Sequence, residues 1–249
     1  MTGTFLNAAM LLTGIVLVRL GVSAPPANVA LRLRWPLAGA ALYAGGEPLV
    51  RNLETCTGPQ ALRLLALTLV SLILGNLVGR GLRLQRRLSS WGTSLTQRLP
   101  RLEEISADRQ TAPVGSSANG WFGFGILLAL NPLTIPSSVL DGLDNRMLGL
   151  SLKTILDLLA LASFGRRLPI AGGLGILAIQ FIWQGFWSGG SLAIAPLLQR
   201  SAIANAVSME AGILMVCAVP ALAGIRKAHL ADLLPSLPMA AFLALLWKG

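Results

Sequence analysis

The stretch ALRLLALTLVSLILGNLVG, residues 61–79, decides the fold class of this chain. It is apolar throughout except for a few small polar side chains and one charge, Arg63. A helix needs roughly 20 consecutive apolar residues to cross the hydrocarbon core of a bilayer. Apolar blocks of similar length recur along the sequence, so we predict an all-α, polytopic helical membrane protein.

The composition of the whole chain favours the same class. Of its 249 residues, 54% are hydrophobic and only 12% are charged, and the mean hydropathy is +0.68. A soluble domain has about 25% charged residues. We therefore expect no sizeable soluble domain.

About eight transmembrane helices are predicted from the apolar blocks. The second is interrupted by Pro36, glycines and Glu47, and the last is short. No basic region precedes the first block, so we interpret it as a retained helix rather than a signal peptide. The predicted spans cover approximately residues 3–20, 35–50, 61–79, 121–140, 147–164, 170–188, 203–224 and 233–247.

The basic residues indicate the orientation. With both termini outside, the inner loops hold fourteen of the 20 lysines and arginines and the outer side holds five, as the positive-inside rule expects. The net charge of +10 is thereby explained by membrane orientation, and we expect no nucleic-acid partner. The expected location is a cell inner (plasma) membrane, with both termini extracytoplasmic.

The long hydrophilic section after the third span divides the chain. We predict a three-span part over residues 1–79, an arginine-rich cytoplasmic amphipathic helix and flexible loop over residues 80–119, and a five-span part over residues 120–249, forming one integral membrane domain. The helix is expected either to lie on lipid or to pack on the protein's own cytoplasmic side. In the first case, four side chains would contact lipid head groups: Arg83, Arg86, Arg87 and Arg101.

Lys153 and Asp157 are the ionisable residues of the fifth span. A charge at the bilayer centre costs about 2.5–3.5 kcal/mol on insertion scales, so each one needs a reason. The two residues are one helical turn apart and can neutralise one another. Two readings follow: a structural ion pair, or a substrate or proton site.

Glu210 of the seventh span has no basic neighbour within a helical turn. It lies about two turns, or about 10 Å, into the span. It is expected either to reach water near the outer end or to be buried and meet Lys153 from another helix. A buried carboxylate that takes up a proton is the chemistry that a proton-coupled carrier uses.

The fourth span contains LALNPLTIPSSVLDGLD, residues 128–144. We expect helix breaks at Pro132 and Pro136, because each lacks the amide hydrogen that the helix requires. Irregular backbone at membrane depth lines the binding sites of transporters, so Asn131 and Thr134 are candidate ligands. The alternatives are a kinked structural helix and a re-entrant hairpin.

Amides in the sixth span, Gln180 and Gln184, are one turn apart. Such side chains more often hold helices together than bind substrate, and the same holds for Asn7 and Asn76. Gln184 is nevertheless included among the candidate ligands.

Short motifs in a fixed order give this chain a family resemblance. They are GTFLN at 3–7, LILGNLVGRGLRL at 72–84, DGL at 141–143, KTILD at 153–157, WQG at 183–185 and LLPSL at 233–237. The chain resembles the YqgA-like bacterial inner-membrane family, domain of unknown function 554. The resemblance implies the architecture and only a guess at transport. It adds Asp141 to the candidate ligands.

The chain departs from the family pattern at three positions. Asn131 stands before Pro132 where a glycine is expected, Leu140 stands where a glutamine is expected, and Leu158 stands where a glycine is expected. If the family glutamine and glycine help to bind a substrate, this chain binds a different one or has lost the activity.

The function predicted from these residues is a secondary transporter or permease for a small anionic or zwitterionic solute, coupled to protons or sodium. Its polar site would lie near the membrane midplane and contain Lys153, Asp157 and Glu210. The alternative is a non-transporting membrane assembly or regulatory protein, whose polar residues would pair among themselves.

Other functions lack their motifs. The chain has no GxxxxGKS, HExxH or GxSxG motif, and its one histidine, His229, lies in a loop. We therefore expect no enzyme, no direct ATP drive, no cofactor and no metal. The expected partners are the lipid bilayer, a small solute with its coupling ion and, through glycine-rich spans, further copies of the chain in a homo-oligomer.

Overall fold

The computed structural model describes residues 1–22, 25–88, 90, 125–126, 128–131, 133–162, 170–198, 203–226 and 229–246. This part of the chain is helical and contains no strand, as the sequence predicts. Its helices are α1 (Thr2–Arg19), α2 (Ala27–Glu54), α3 (Gly58–Gly81), α4 (Thr134–Asp144), α5 (Leu148–Ala162), α6 (Ile170–Leu198), α7 (Ile203–Leu222), α8 (Leu230–Leu233) and α9 (Ser236–Leu246).

Four of the described helices are long and apolar enough to cross a membrane: α1, α3, the Ile170–Ala193 part of α6, and α7. The segment Leu230–Leu246 is apolar but shorter, and α5 has 15 residues. The polytopic helical class is therefore supported by four candidate spans.

Helix α2 is longer than the sequence predicts. It has 28 residues and continues through both Pro36 and Pro48. Its close packing against α7 explains this persistence, since a Cβ on Gly45 would lie 2.6 Å from the Gly212 carbonyl oxygen. Two helices that approach so closely stabilise each other across a proline.

The fourth predicted span is divided near its middle. Residues 125–126 and 128–129 are helical, Asn131 is not, and α4 begins at Thr134. The Asn131 Oδ1 atom accepts a hydrogen bond from the Leu133 amide at 3.1 Å, which closes a turn at the predicted position. Pro132 lies outside the described residues.

Pro136 does not break the helix, contrary to the prediction. It occupies the third residue of α4. The amides of a helix's first turn have no intrahelical partner, so a proline there removes no hydrogen bond.

The relative directions of the helices follow from their contacts. Gly3, Asn7 and Gly14 of α1 meet Leu150, Thr154 and Leu158 of α5, so these two helices are parallel. α2 runs antiparallel to α7, because Gly45 meets Gly212 and Arg34 meets Gly224. α3 runs antiparallel to α8 and α9, because Gly75 meets Ser236 and Gly79 meets Asp232.

The buried apolar residues form two clusters. The larger surrounds α7 and includes Leu64, Met209, Met215 and Leu237. The smaller joins α1, α5 and α6 and includes Leu11, Leu161 and Ile176. Many large apolar side chains are exposed on the outside of the bundle; Ile182, for example, is 70% exposed. Lipid would cover this apolar surface.

The chain after α3 turns sharply at Arg83, whose φ is 53°. Gln85 then binds α8 twice: its amide donates to Asp232 Oδ1 at 2.8 Å, and its Oε1 accepts from the Ala231 amide at 3.2 Å. Arg83, Arg86 and Arg87 are exposed. Arg101 and most of the predicted amphipathic helix lie outside the described residues.

Candidate functional site

Lys153 and Asp157 lie on the inner face of α5 and form an ion pair. Lys153 is 0% exposed and Asp157 is 1% exposed. Lys153 Nζ also donates to Gln180 Oε1 of α6 at 3.0 Å. The pair therefore faces another helix, and the lysine has a second hydrogen-bond partner there.

Further polar side chains extend this pair across three helices. Gln184 Nε2 donates to Gln180 Oε1 at 3.2 Å, and Asn7 Nδ2 donates to Gln184 Oε1 at 2.6 Å. The Thr154 hydroxyl donates to Asn7 Oδ1. We call this set the Lys153 network, and each member is at most 1% exposed. Its members are Asn7, Lys153, Thr154, Asp157, Gln180 and Gln184.

Close packing of the helices brings the side chains of the Lys153 network together. A Cβ on Gly14 would lie 2.1 Å from Leu158 Cδ2, so α1 and α5 touch directly. The apolar side chains of Leu11, Leu161 and Ile176 cover the network on the Arg19 side of α1. Gln184 stands at the midpoint of α6, fourteen residues from Ile170 and fourteen from Leu198. The network is therefore central along this long helix.

Two polar atoms in the Lys153 network have no hydrogen-bond partner among the described residues. One is the acceptor Asp157 Oδ1 and the other is the donor Gln180 Nε2. A buried polar group without a partner costs about 1–3 kcal/mol. One unused acceptor and one unused donor beside a charged pair suit a ligand that carries both kinds of group.

Glu210 forms a separate site and does not bind Lys153. Its Oε2 accepts from the Ser71 hydroxyl of α3 at 2.6 Å, and Ser236 of α9 approaches the same carboxylate. Glu210 is 0% exposed, so it does not reach water near the outer end. The predicted contact with Lys153 is wrong: Lys153 bonds to side chains of α5 and α6, whereas Glu210 bonds to a side chain of α3. We call Glu210, Ser71 and Ser236 the Glu210 site.

Asp141 anchors the start of α1. Its carboxylate accepts from the amides of Gly3 at 2.8 Å and Thr4 at 3.3 Å, from the Thr4 hydroxyl at 3.1 Å and from the Ser188 hydroxyl at 2.8 Å. The first turn of a helix binds anions through its unpaired amides and its dipole. Because these four donors occupy the carboxylate, Asp141 joins α1, α4 and α6 instead of facing a ligand.

Asn131 and Thr134 lie apart from the Lys153 network. The Asn131 carbonyl accepts from the Thr134 amide at 2.8 Å, and Thr134 is fully buried with an unpaired hydroxyl. Neither residue has a hydrogen bond to the network in the part of the chain that the structure describes. Of the predicted ligands, the structure therefore groups Lys153, Asp157 and Gln184.

A charged cluster at one end of the bundle was not predicted. Arg146 lies 2.9 Å from Glu47 Oε1 and 3.3 Å from Asp144 Oδ2, and the Ser208 hydroxyl donates to Asp144 at 2.5 Å. The cluster ties the loop before α5 to α2, α4 and α7. Asp144 remains exposed, which makes it a useful control residue.

The described residues contain no group of three or more histidine, cysteine, aspartate or glutamate side chains that could hold a metal ion. The two cysteines, Cys56 and Cys217, are free. The polar sites of the bundle are thus built from amides, hydroxyls, carboxylates and one lysine.

Comparison with known proteins gives one match. The model of a family described as a protein of unknown function, DUF554, matches residues 2–245. No curated protein and no solved structure matches the chain.

Proposed function

The chain belongs to the DUF554 family of proteins of unknown function, and we propose that it is a secondary transporter or permease for a small anionic or zwitterionic solute. The Lys153 network is its solute site, and protons or sodium drive it. The single observation that carries the proposal is a fully buried pair of opposite charges with an unused donor and an unused acceptor beside it.

The chemistry of the network fits a solute with a carboxylate and an amine. Lys153 Nζ has three N–H groups and uses two of them, on Asp157 and Gln180. Its third N–H and the free Gln180 Nε2 would hold a carboxylate, while the free Asp157 Oδ1 would accept from an ammonium group. The protein charges at the site then balance those of a zwitterion.

The free-energy cost of burying the Lys153 network in the bundle also supports a functional role. Ionisable side chains inside membrane helices are expensive and mark substrate or ion pathways. Apolar residues of similar volume would hold α1, α5 and α6 together at least as well, because a buried ion pair seldom adds net stability.

The membrane arrangement that we propose has eight crossings, with both termini outside the inner membrane. Cys56, between α2 and α3, would then lie on the outer side. In a Cys217→Ala background, a membrane-impermeant maleimide should label Cys56 in intact spheroplasts. Labelling only after the membrane is opened would reverse the orientation.

A second candidate function is a non-transporting assembly or regulatory protein. The observation that favours it is that Asn7, Thr154, Gln180 and Gln184 bond to one another. Under this reading the network fixes the packing of three helices and binds no solute.

A solute screen separates the two functions. Purified protein in proteoliposomes is tested for uptake of amino acids and small carboxylates, alongside Asp157→Asn and the exposed control Asp144→Asn. We expect at least one solute to be taken up by the wild type and by Asp144→Asn, and uptake to be lost in Asp157→Asn while the protein remains folded. Equal uptake by Asp157→Asn would remove Asp157 from the solute site, and no uptake across the panel would favour the second function.

A further inference from the structure

We propose that the Glu210 site is a separate proton-binding site, and that its proton is the coupling ion of the transporter. The coupling role rests on the proposed function, whereas proton binding by Glu210 does not. The solute and the proton would therefore occupy different places in the bundle.

The geometry around Ser71 accommodates two protonation states of Glu210. The Ser71 Oγ atom lies 2.6 Å from Glu210 Oε2 and 2.8 Å from the Thr68 carbonyl oxygen. Since a hydroxyl has one proton, it serves only one of these acceptors at a time. With Glu210 ionised, Ser71 donates to the carboxylate. With Glu210 protonated, Glu210 donates to Ser71 Oγ, and Ser71 donates to Thr68.

A proton therefore enters or leaves this site with no movement of heavy atoms. The hydroxyl of Ser71 only turns between its two acceptors. The second carboxyl oxygen, Glu210 Oε1, and the Ser236 hydroxyl have no hydrogen-bond partner among the described residues. They offer a further position for the proton or for a water molecule that delivers it.

The charges around Glu210 leave it without a counter-ion. No described ion pair includes it, and four acidic groups of neighbouring helices have partners of their own, Asp141 among them. Glu47 of α2 and Asp144 of α4 bind Arg146, and Asp232 of α8 accepts from the Gln85 amide.

The remaining titratable groups on the packed elements lie towards helix ends, on exposed surface or elsewhere on α7. On α3 these are Arg63 in the second turn and Arg80 in the last, and α2 places Arg34 against Gly224. The other titratable side chains of α2 are exposed: Arg32, Tyr43, Arg51 and Glu54. On α7 itself the nearest is Cys217, two turns away. The described parts of α6 and α9 carry no titratable side chain. A buried carboxylate in this setting is neutralised by a proton.

The helices that carry the two sites, α5 and α7, contact each other at Gly149 and Met215. A Cβ on Gly149 would lie 2.9 Å from the methyl carbon of Met215. Gly149 is one turn before Lys153 on α5, and Met215 is about one turn after Glu210 on α7. Displacement of either helix at this contact would reach both sites, which is what coupling needs.

The first experiment measures proton binding without transport. A hydrophobic carbodiimide reacts with protonated carboxyl groups, and peptide mass spectrometry locates the adduct. In wild-type protein we expect an adduct on Glu210 that is lost as the pH is raised, and none at this position in Glu210→Gln. A Glu210 that stays unlabelled at every pH, or equally labelled at every pH, would overturn the proton site.

The second experiment measures coupling in proteoliposomes. A pH gradient should drive solute accumulation in the wild type and in the matched exposed variant Glu54→Gln. Glu210→Gln should lose accumulation and keep solute exchange at zero gradient. Accumulation that follows a sodium gradient and survives Glu210→Gln overturns the coupling role. A pH-dependent adduct in a protein that moves no solute would defeat the proposed function and leave the proton site standing.

Discussion

Removal of Lys153 should destabilise the protein more than removal of the charge on Asp157, although they form one ion pair. Breaking a buried pair by removing one partner costs about 3–5 kcal/mol, because the other charge is left uncompensated. After Asp157→Asn, the Lys153 ammonium still has Gln180 Oε1 at 3.0 Å. After Lys153→Met, the Asp157 carboxylate loses its one described donor, since its Oδ1 is already unpaired.

We therefore expect Lys153→Met to lower the free energy of unfolding by an amount near the upper end of this range. The loss in Asp157→Asn should be smaller by about 1.5–3 kcal/mol, which is the contribution of a hydrogen bond to a charged group. The double variant removes both charges and should lose less stability than Lys153→Met alone. The assay is reversible unfolding in mixed micelles with a denaturing detergent, followed by the fluorescence of the six tryptophans. Two results would refute this prediction. In one, Asp157→Asn destabilises the protein more than Lys153→Met; in the other, the double variant loses as much stability as the two single variants added together.

Two further predictions concern packing and the start of α1. Gly45→Ala should destabilise the protein by about 1–3 kcal/mol, because the new Cβ would lie 2.6 Å from the Gly212 carbonyl oxygen. Gly46→Ala should stabilise it by about 0.5–1 kcal/mol, because a Cβ there meets nothing within 4 Å. The same unfolding assay compares the two variants, and equal effects would contradict the close α2–α7 contact. Asp141→Ala should cost at least about 1.5–3 kcal/mol because buried amides lose a charged acceptor. The exposed control Glu54→Ala should cost less than about 1 kcal/mol, and hydrogen exchange at the start of α1 should rise only in Asp141→Ala.

The sequence predicts the helical membrane class because that class depends on a one-dimensional pattern. The length of the apolar blocks identifies α1, α3, α6 and α7 as candidate spans. Helix ends are predicted less well. α6 extends ten residues beyond the predicted Ser188, because SLAIAPLL after the glycines remains compatible with a helix. The last predicted span is divided into α8 and α9 at Leu234 and Pro235.

The inward position of Lys153 and Asp157 follows from the cost of exposing charge to lipid. Their partners do not follow from it, because they come from other helices. Asn7 and Gln180 are predicted to hold helices together, whereas Thr154 and Ser71 are small hydroxyl residues in apolar runs and carry no signal in the sequence. The separation of Glu210 from Lys153 depends on which helices pack together, and no local pattern encodes that choice.

Asp141 has a consequence for how this molecule could change shape. By binding Gly3 and Thr4 of α1 and Ser188 of α6, it holds α1 and α6 against α4. On the other side, α2 packs on α7 where Gly45 meets Gly212, and α3 packs on α9 where Gly75 meets Ser236. A rocking motion that separates these two groups would have to break the Arg146–Glu47 ion pair and the hydrogen bond from Ser208 to Asp144. The Lys153 network would then move with one group of helices and Glu210 with the other.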